Sequence, residues 1–287
     1  MTGRPIHFVY AMALIASALT GMSTHAQPSP PAHADRLHVL DCGSARSPDF
    51  SQWSPGSHQG RPVVYSNHCY LIRHGDDWML WDTGVDDRLA GLPGGKEVAH
   101  KVTGVAGPGL TAQLRRIGLR PDQITVIAFS HAHFDHVGNA RLFPRARWFV
   151  QRGEHKVMFG NDAKTFGFIH ELYAGMRRNP TVLLDGDHDI FGDGSVRIIA
   201  TPGHTPGHQS LLVRLPLRGT VLLSGDAAHT LQNFERRRVP SFNADREATM
   251  RSIMKIEALL ASEKAELWVN HDRHQNRATP RSPMGIE

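Results

Sequence analysis

"SHAHFDHVGN", residues 130–139, sets three histidines and one aspartate within six positions: His131, His133, Asp135 and His136. It follows "ITVIAFS", 124–130, a continuous apolar run of strand length, the pattern of a strand covered on both faces. At the end of an extended strand, residues i and i+2 point the same way, so His131 and His133 can reach one point in space. A turn at Phe134 aims Asp135 and His136 at a second point nearby. Neutral imidazoles gain nothing from crowding, and buried polar groups need partners. A divalent cation satisfies all four side chains, with nitrogen and carboxylate donors of the kind zinc takes.

Other strand ends repeat the arrangement. "TPGHTPGHQS", 201–210, brings His204 and His208 into a Gly/Pro turn after the strand "VRIIA". "LLSGDAAH", 222–229, ends a strand at Asp226, with His229 three residues on. "ELWVNHD", 266–272, ends a strand at His271. A surface turn rich in histidine would explain one such cluster but not four, each just past the C-terminal end of a strand.

The rest of the chain fits one domain of packed sheets with helices outside, over 36–272. Short β-like runs dominate, among them "RLHVLDCG", "HCYLIRH", "DWMLWDTG", "ARWFVQ" and "HQSLLVRL". "GDD" joins two of them as a hairpin turn. "LTAQLRRIGL" has helical spacing, ended by Pro121. Residues 152–178 are mixed and read as helical. The best helix is expected over 243–265, capped by Asn243, with Met250, Ile253, Ile256, Leu259 and Leu260 on one stripe. The glycine-rich stretch 86–109 reads as a long surface loop, and 273–287 as a loose polar tail.

Composition narrows the function classes. The chain has 287 residues, a formal charge of +5 and 19 histidines. Its cationic residues are scattered, with "RRR" at 236–238 the longest run, so nucleic acid is not an expected partner. Residues 1–26 have the three parts of a secretory signal: Arg4, the apolar run 8–21, and Thr24 and Ala26 before a cleavage point. Fourteen apolar residues span only ~21 Å as a helix, short of the ~30 Å hydrocarbon core, so stable membrane insertion is not expected. Export to the periplasm or beyond follows, with 27–35 as a flexible lead. Cys42 and Cys69 would then sit in an oxidising compartment, either as a cross-strand disulfide or as small buried hydrophobes.

With these motifs in order, the chain resembles the metallo-β-lactamase fold superfamily of binuclear hydrolases, over residues ~36 to 272. The resemblance implies an α/β fold: an αββα sandwich, two packed mixed β-sheets flanked by helices. It implies two divalent metal ions, zinc first. His131, His133 and His204 would hold one, Asp135, His136 and His271 the other, and Asp226 would bridge them around a shared hydroxide. His208 matches no ligand position and is expected to support its loop, as is Asp82 in "DTG". "SHAHFDHVGN", "TPGHTPGHQS" and "GDAAHTLQNFE" are most similar to N-acyl homoserine lactone lactonases. The implied reaction is attack of the shared hydroxide on the lactone carbonyl of an acyl lactone, with Asp135 or Asp226 moving the proton. Where those enzymes carry a substrate-binding tyrosine three residues after the bridging aspartate, this chain has His229, which is expected to orient the substrate. Competing expectations are another hydrolase of the superfamily (thioesterase, β-lactamase, general lactonase or phosphodiesterase) and a periplasmic zinc-binding protein without turnover. Asp226 argues against a zinc β-lactamase, which lacks an aspartate there. The oligomeric state is left open, a homodimer included.

Overall fold

A computed structural model of the chain describes residues 1–3, 32–98 and 101–287. The chain divides into Met1–Pro30 and Pro31–Glu287. The expected signal segment, apart from residues 1–3, and most of the lead lie outside the described residues. Among those described, no helix is long and apolar enough to cross a membrane.

Eight strands form the first sheet: β1 (Arg36–Ser47), β2 (Val63–His74), β3 (Asp77–Trp81), β4 (Lys96–Glu97), β5 (Thr103–Val105), β6 (Val126–Ala128), β7 (Arg147–Gln151) and β8 (Thr181–Leu184). Their order is β4-β5-β1-β2-β3-β6-β7-β8. β1, β2 and β3 pair antiparallel, whereas β3, β6, β7 and β8 run parallel. The second sheet holds β9 (His188–Asp189), β10 (Val196–Ala200), β11 (Gln209–Leu215), β12 (Gly219–Leu223) and β13 (Glu266–Trp268), in the order β13-β12-β11-β10-β9.

Side-chain alternation along the strands builds three layers of core. Tyr70 and Ile72 of β2, with Met79 and Trp81 of β3, face Leu211, Val213, Val221 and Leu223 of the second sheet. Leu71, Leu80, Ile127 and Trp148 turn the other way, under α1 (Leu110–Arg116), α2 (Phe134–Val137), α3 (Arg152–Met158) and α4 (His170–Tyr173). Leu212 and Leu222 cover the outer face of the second sheet with Ile253 and Ile256 of a long helix. The result is the expected αββα sandwich. The apolar runs at "ITVIAFS" and "GTVLLSGDA" are continuous because their strands are covered on both sides.

Three expectations are corrected. The long helix is α6, Arg246–Glu263, preceded by the short α5 (Leu231–Glu235). Its cap is Asp245, whose carboxylate accepts from the Ala248 N–H at 2.9 Å. Asn243 is unavailable for capping because it hydrogen-bonds His204 and Thr249. The stretch 86–109 is not a plain loop. Asp87–Gly91 is a 3₁₀ turn, and β5 pairs with Ser44–Arg46 of β1. The last fifteen residues are docked rather than loose. Arg273–Ala278 forms α7, and Ile286 exchanges backbone hydrogen bonds with Leu37 while packing on the inter-sheet core. One apolar side chain with a free strand edge beside it is enough to fix a tail that reads as polar. Of the two roles open to the cysteines, Cys42 of β1 and Cys69 of β2 take the first and form a disulfide.

Candidate metal centre

All seven residues expected to hold metal converge at the C-terminal ends of their strands. His131 and His133 leave β6, with Asp135 and His136 in the first turn of α2. His204 leaves β10, Asp226 leaves β12 and His271 leaves β13. They fall into two groups of donor atoms, His131, His133, His204 and Asp226, then Asp135, His136 and His271, and a third, overlapping group joins His229 to Asp226 and His271. Asp226 spans the first two. Its Oδ2 lies 3.4 Å from His204 Nε2 and 3.7 Å from His131 Nε2, while its Oδ1 lies 3.0 Å from His271 Nε2 and 3.3 Å from His136 Nε2.

The outward nitrogens decide what the inward ones can do. His133 Nε2 donates to the Phe166 carbonyl at 2.8 Å, and His271 Nδ1 to the Ser66 carbonyl at 2.7 Å. His204 Nδ1 donates to Asn243 Oδ1 at 2.9 Å, and His136 Nδ1 to Asp82 Oδ2 at 2.9 Å. Ser130 Oγ donates to Asp82 and therefore accepts from His131 Nδ1 at 3.1 Å. With a proton on its outward nitrogen, a neutral His131, His133 or His204 ring presents a bare lone pair inward. His133 Nδ1 is then 2.8 Å from His131 Nε2 and 3.0 Å from His204 Nε2. Three lone pairs at that separation repel unless a cation sits among them. A proton does not fill the role near neutral pH, because burial pushes His133 down to about 4 and His131 and His204 well below their usual range. In the second group, His136 Nε2 and Asp226 Oδ1 are buried without a hydrogen-bond partner among the described residues. Buried polar atoms in that state are costly, and a metal ion removes the cost. The residues fit metal.

Charge is arranged to match. Burial alone would raise Asp226, but His271, His136, His229 and His131 hold its carboxyl well below the usual carboxylate range. Burial likewise opposes protonation of His136, yet Asp226, Asp82 and Asp135 carry it well above the usual histidine range.

Asp82 is the supporting residue rather than a ligand. It sits at φ 60°, a left-handed conformation, and accepts from the Ser130 N–H at 2.6 Å as well as from His136. His208 also supports: its Nδ1 is held by Thr201 and its Nε2 accepts from the Asp226 N–H at 2.9 Å. Several contributors carry no motif. Glu154 of α3, 2% exposed, accepts from Ala132 N–H at 3.0 Å and from Gly207 N–H at 2.9 Å. It thereby straps the loop of His131 and His133 to the loop of His204. Gly207 permits the approach, since a Cβ there would lie 2.2 Å from Glu154 N. Asn243, Ser130 and the carbonyls of Phe166 and Ser66 were equally invisible in the sequence pattern. Only their positions beside ligand motifs could have hinted at them.

Above the ligands opens a cleft walled by Ala45, Trp53, Tyr65, Val102, Phe134 and Phe242. His229 lines it, with Nε2 3.1 Å from Asp226 Oδ2 and its ring stacked on His271 at 5.5 Å and 18°. It differs from the five ligand histidines in one respect. Its Nδ1 is buried without a partner among the described residues, so no outer acceptor fixes its orientation. Metal-binding histidines are almost always held at the second nitrogen. His229 is therefore built as a wall of the cleft rather than as a ligand.

A two-sheet sandwich with helices on both outer faces, carrying paired His/Asp groups at its strand ends, defines a class of metal-binding proteins. The chain belongs to the metallo-beta-lactamase superfamily, which its residues 62–263 match. Over 168 residues it is 37% identical to the N-acyl homoserine lactonase AttM of Azorhizobium caulinodans, a match covering 57% of this chain and 64% of that protein. It is 34% identical over 251 residues to the N-acyl homoserine lactonase AttM of Rhizobium johnstonii, covering 83% of this chain and 93% of that one. Among solved structures, an N-acyl homoserine lactone hydrolase with the product N-hexanoyl-L-homoserine at its catalytic metal centre aligns at a TM-score of 0.78. That match has 27% identity and covers 89% of this chain and 100% of that one.

Proposed function

We propose that the chain is an exported, zinc-dependent hydrolase that opens the lactone ring of N-acyl homoserine lactones. The observation that carries this reading is the pair of donor groups sharing Asp226 beneath an apolar cleft, in a chain whose relatives are lactonases. His131, His133 and His204 would hold one ion, Asp135, His136 and His271 the second, and Asp226 both. Two ions so placed supply Lewis acidity for a carbonyl and a water of lowered pKa.

The chain's own residues divide the remaining work. Trp53, Tyr65, Val102 and Phe242 offer the apolar surface an acyl chain needs and exclude water from the reacting ester. Asp135 and Asp226 both line the cleft, and either could accept the proton of the attacking water and pass it to the leaving ring oxygen. His229, whose ring lines the cleft with Nε2 3.1 Å from Asp226 Oδ2, is placed to orient the substrate at the position where the resemblance puts a tyrosine.

The Cys42–Cys69 disulfide supports export, because such bonds persist in oxidising compartments. So does the signal-like pattern of residues 1–26. One panel tests the reading: acid release from short- and long-chain acyl homoserine lactones, a γ-lactone, a thioester, a β-lactam and a phosphodiester, each with and without chelator. Chelator-sensitive turnover led by the acyl homoserine lactones is expected. Turnover led by another substrate, or none at all, would overturn it. N-terminal sequencing of the protein from a periplasmic fraction tests the export claim, with a start at Gln27 expected.

A further inference from the structure

The doublet Asn-His occurs at 67–68 and again at 270–271, and the two copies meet beside the metal centre. Asn67 lies on β2, and Asn270 directly precedes His271. Both asparagines are buried, at 0% and 3% exposure. A buried amide needs partners for its donors and its acceptor, so those partners show what it does. Here they form one line. The His68 backbone N–H donates to Asn270 Oδ1 at 2.9 Å. Asn270 Nδ2 donates to Asn67 Oδ1 at 2.9 Å, and Asn67 Nδ2 donates to the Asp135 carbonyl. The ends fix the sense of the whole line. A backbone N–H can only donate and a backbone carbonyl can only accept, so neither amide can be turned over. Hydrogen bonds in series also polarise one another, which strengthens each.

The far end of the line answers a need of α2. A helix of four residues leaves its carbonyls without partners inside it. The Asn139 N–H, which would bond the Asp135 carbonyl if the helix ran on, goes to Thr83 Oγ1 at 3.2 Å instead. Asn67 takes that carbonyl and so holds the turn on which Asp135 stands. The near end is equally fixed. The Asn276 side chain of α7 donates to the Asn270 carbonyl at 2.7 Å, and His271 Nδ1 donates to the Ser66 carbonyl of β2. Asp135 Oδ2 and His271 Nε2 lie 3.7 Å apart, too far for a hydrogen bond, so their spacing is set by what holds each of them.

We infer that Asn67 and Asn270 are positioning residues of the second metal site: by joining the turn of Asp135 to the strand end of His271, they set the separation of these two ligands. Glu154 does the same for the first group with an acid that titrates, whereas this line is made of amides and is neutral at every pH. The inference rests on the two-ion reading and not on the substrate.

The test compares N67D and N270D with the unaltered protein, and with H204A and H271A, which identify the ion that each step of the measurement reports. Aspartate keeps the size of either side chain and removes its donor, so N67D sets a carboxylate oxygen against the Asp135 carbonyl. Competition with a chromophoric chelator is expected to show the second ion at least tenfold weaker in both variants, and the first nearly unchanged. In the cobalt-loaded protein, the visible absorption that H271A removes should shift in N67D and N270D, while the absorption that H204A removes stays. Should a variant fail to fold, the unaltered protein carries the test by nuclear magnetic resonance. The side-chain amide resonances of Asn67 and Asn270 should move when zinc is added to the metal-free protein, and in H204A as well, but not in H271A. Two ions held as tightly in N67D and N270D as in the unaltered protein, both ions weakened alike, or amide resonances that do not move would each overturn the inference. Uptake of well under one equivalent of zinc by the unaltered protein would instead bring down the two-ion reading, and this inference with it.

Discussion

Replacing Glu154 with glutamine separates the metal ligands from the scaffold that brings them together. The carboxylate accepts two backbone N–H groups, one from each ligand-bearing loop, at 3.0 and 2.9 Å. Glutamine keeps one acceptor oxygen and sets its amide against the other N–H, donor to donor. Above about pH 7, where Glu154 is ionised, one charge-assisted hydrogen bond is lost and one buried N–H is left unpaired, which costs about 2–3 kcal/mol. In a domain of this size each kcal/mol moves the melting temperature by about 2–4 °C, so a fall of roughly 4–12 °C is expected. The effect on metal should be selective. His131, His133 and His204 meet only if the two loops stay in register, whereas His136 and His271 are tied elsewhere, to Asp82 and Ser66. Competition with a chromophoric chelator should show the first ion bound about tenfold more weakly or worse, and the second nearly unchanged. Glu154 also leaves a signature in pH. Burial pushes it up to about 7 from an ordinary value of 4.5. Between those pH values the folded chain keeps a proton that the unfolded chain has released. Its contribution to stability is full below about pH 4.5 and is lost as pH rises through about 7. The variant lacks that titration, so its melting temperature should fall less over this range. An E154Q protein that melts lower but binds both ions as before would show that Glu154 only fills space, and the reasoning would fail.

Three other outcomes follow from the same geometry. His229→Ala should lose about 10- to 100-fold in kcat/KM for an acyl homoserine lactone, as one positioned hydrogen bond is removed, while both ions stay bound; metal loss would make His229 a ligand instead. Asp82→Asn should weaken the second ion about 10- to 100-fold in a metal titration, since it disturbs the acceptor that fixes His136, and equal weakening of both ions would contradict that assignment. Replacing Cys42 and Cys69 by serine opens a loop of sequence separation 27, for which chain entropy gives about 3–4 kcal/mol and a melting temperature lower by on the order of 10 °C; an unchanged melting curve would mean the bridge contributes nothing.

The ligands were legible because metal coordination imposes side-chain types and short spacings that survive in one dimension. His131 and His133 two apart at a strand end, and Asp226 and His271 each closing an apolar run, carry their geometry with them. The layers were legible for a similar reason, since strands covered on both sides must be apolar throughout. What holds the ligands was not legible. The Phe166 and Ser66 carbonyls act as backbone, which has no signature in sequence. Glu154 is ordinary as a residue near the start of a helix until tertiary packing buries it between two loops. Asn243 has the composition of a helix cap, but His204 stands close enough to claim it, and Asp245 caps α6 instead. The tail misled because its docking rests on the free edge of β1 beside Leu37, a feature of the sheet rather than of residues 273–287.

Elemental analysis of the purified protein, run alongside lactone hydrolysis through metal removal and restoration, bears most directly on the account. It predicts about two equivalents of transition metal per chain, activity that vanishes on removal, and recovery that tracks the second equivalent restored. Well under one equivalent after growth with ample metal, or hydrolysis undiminished in the stripped protein, would contradict it.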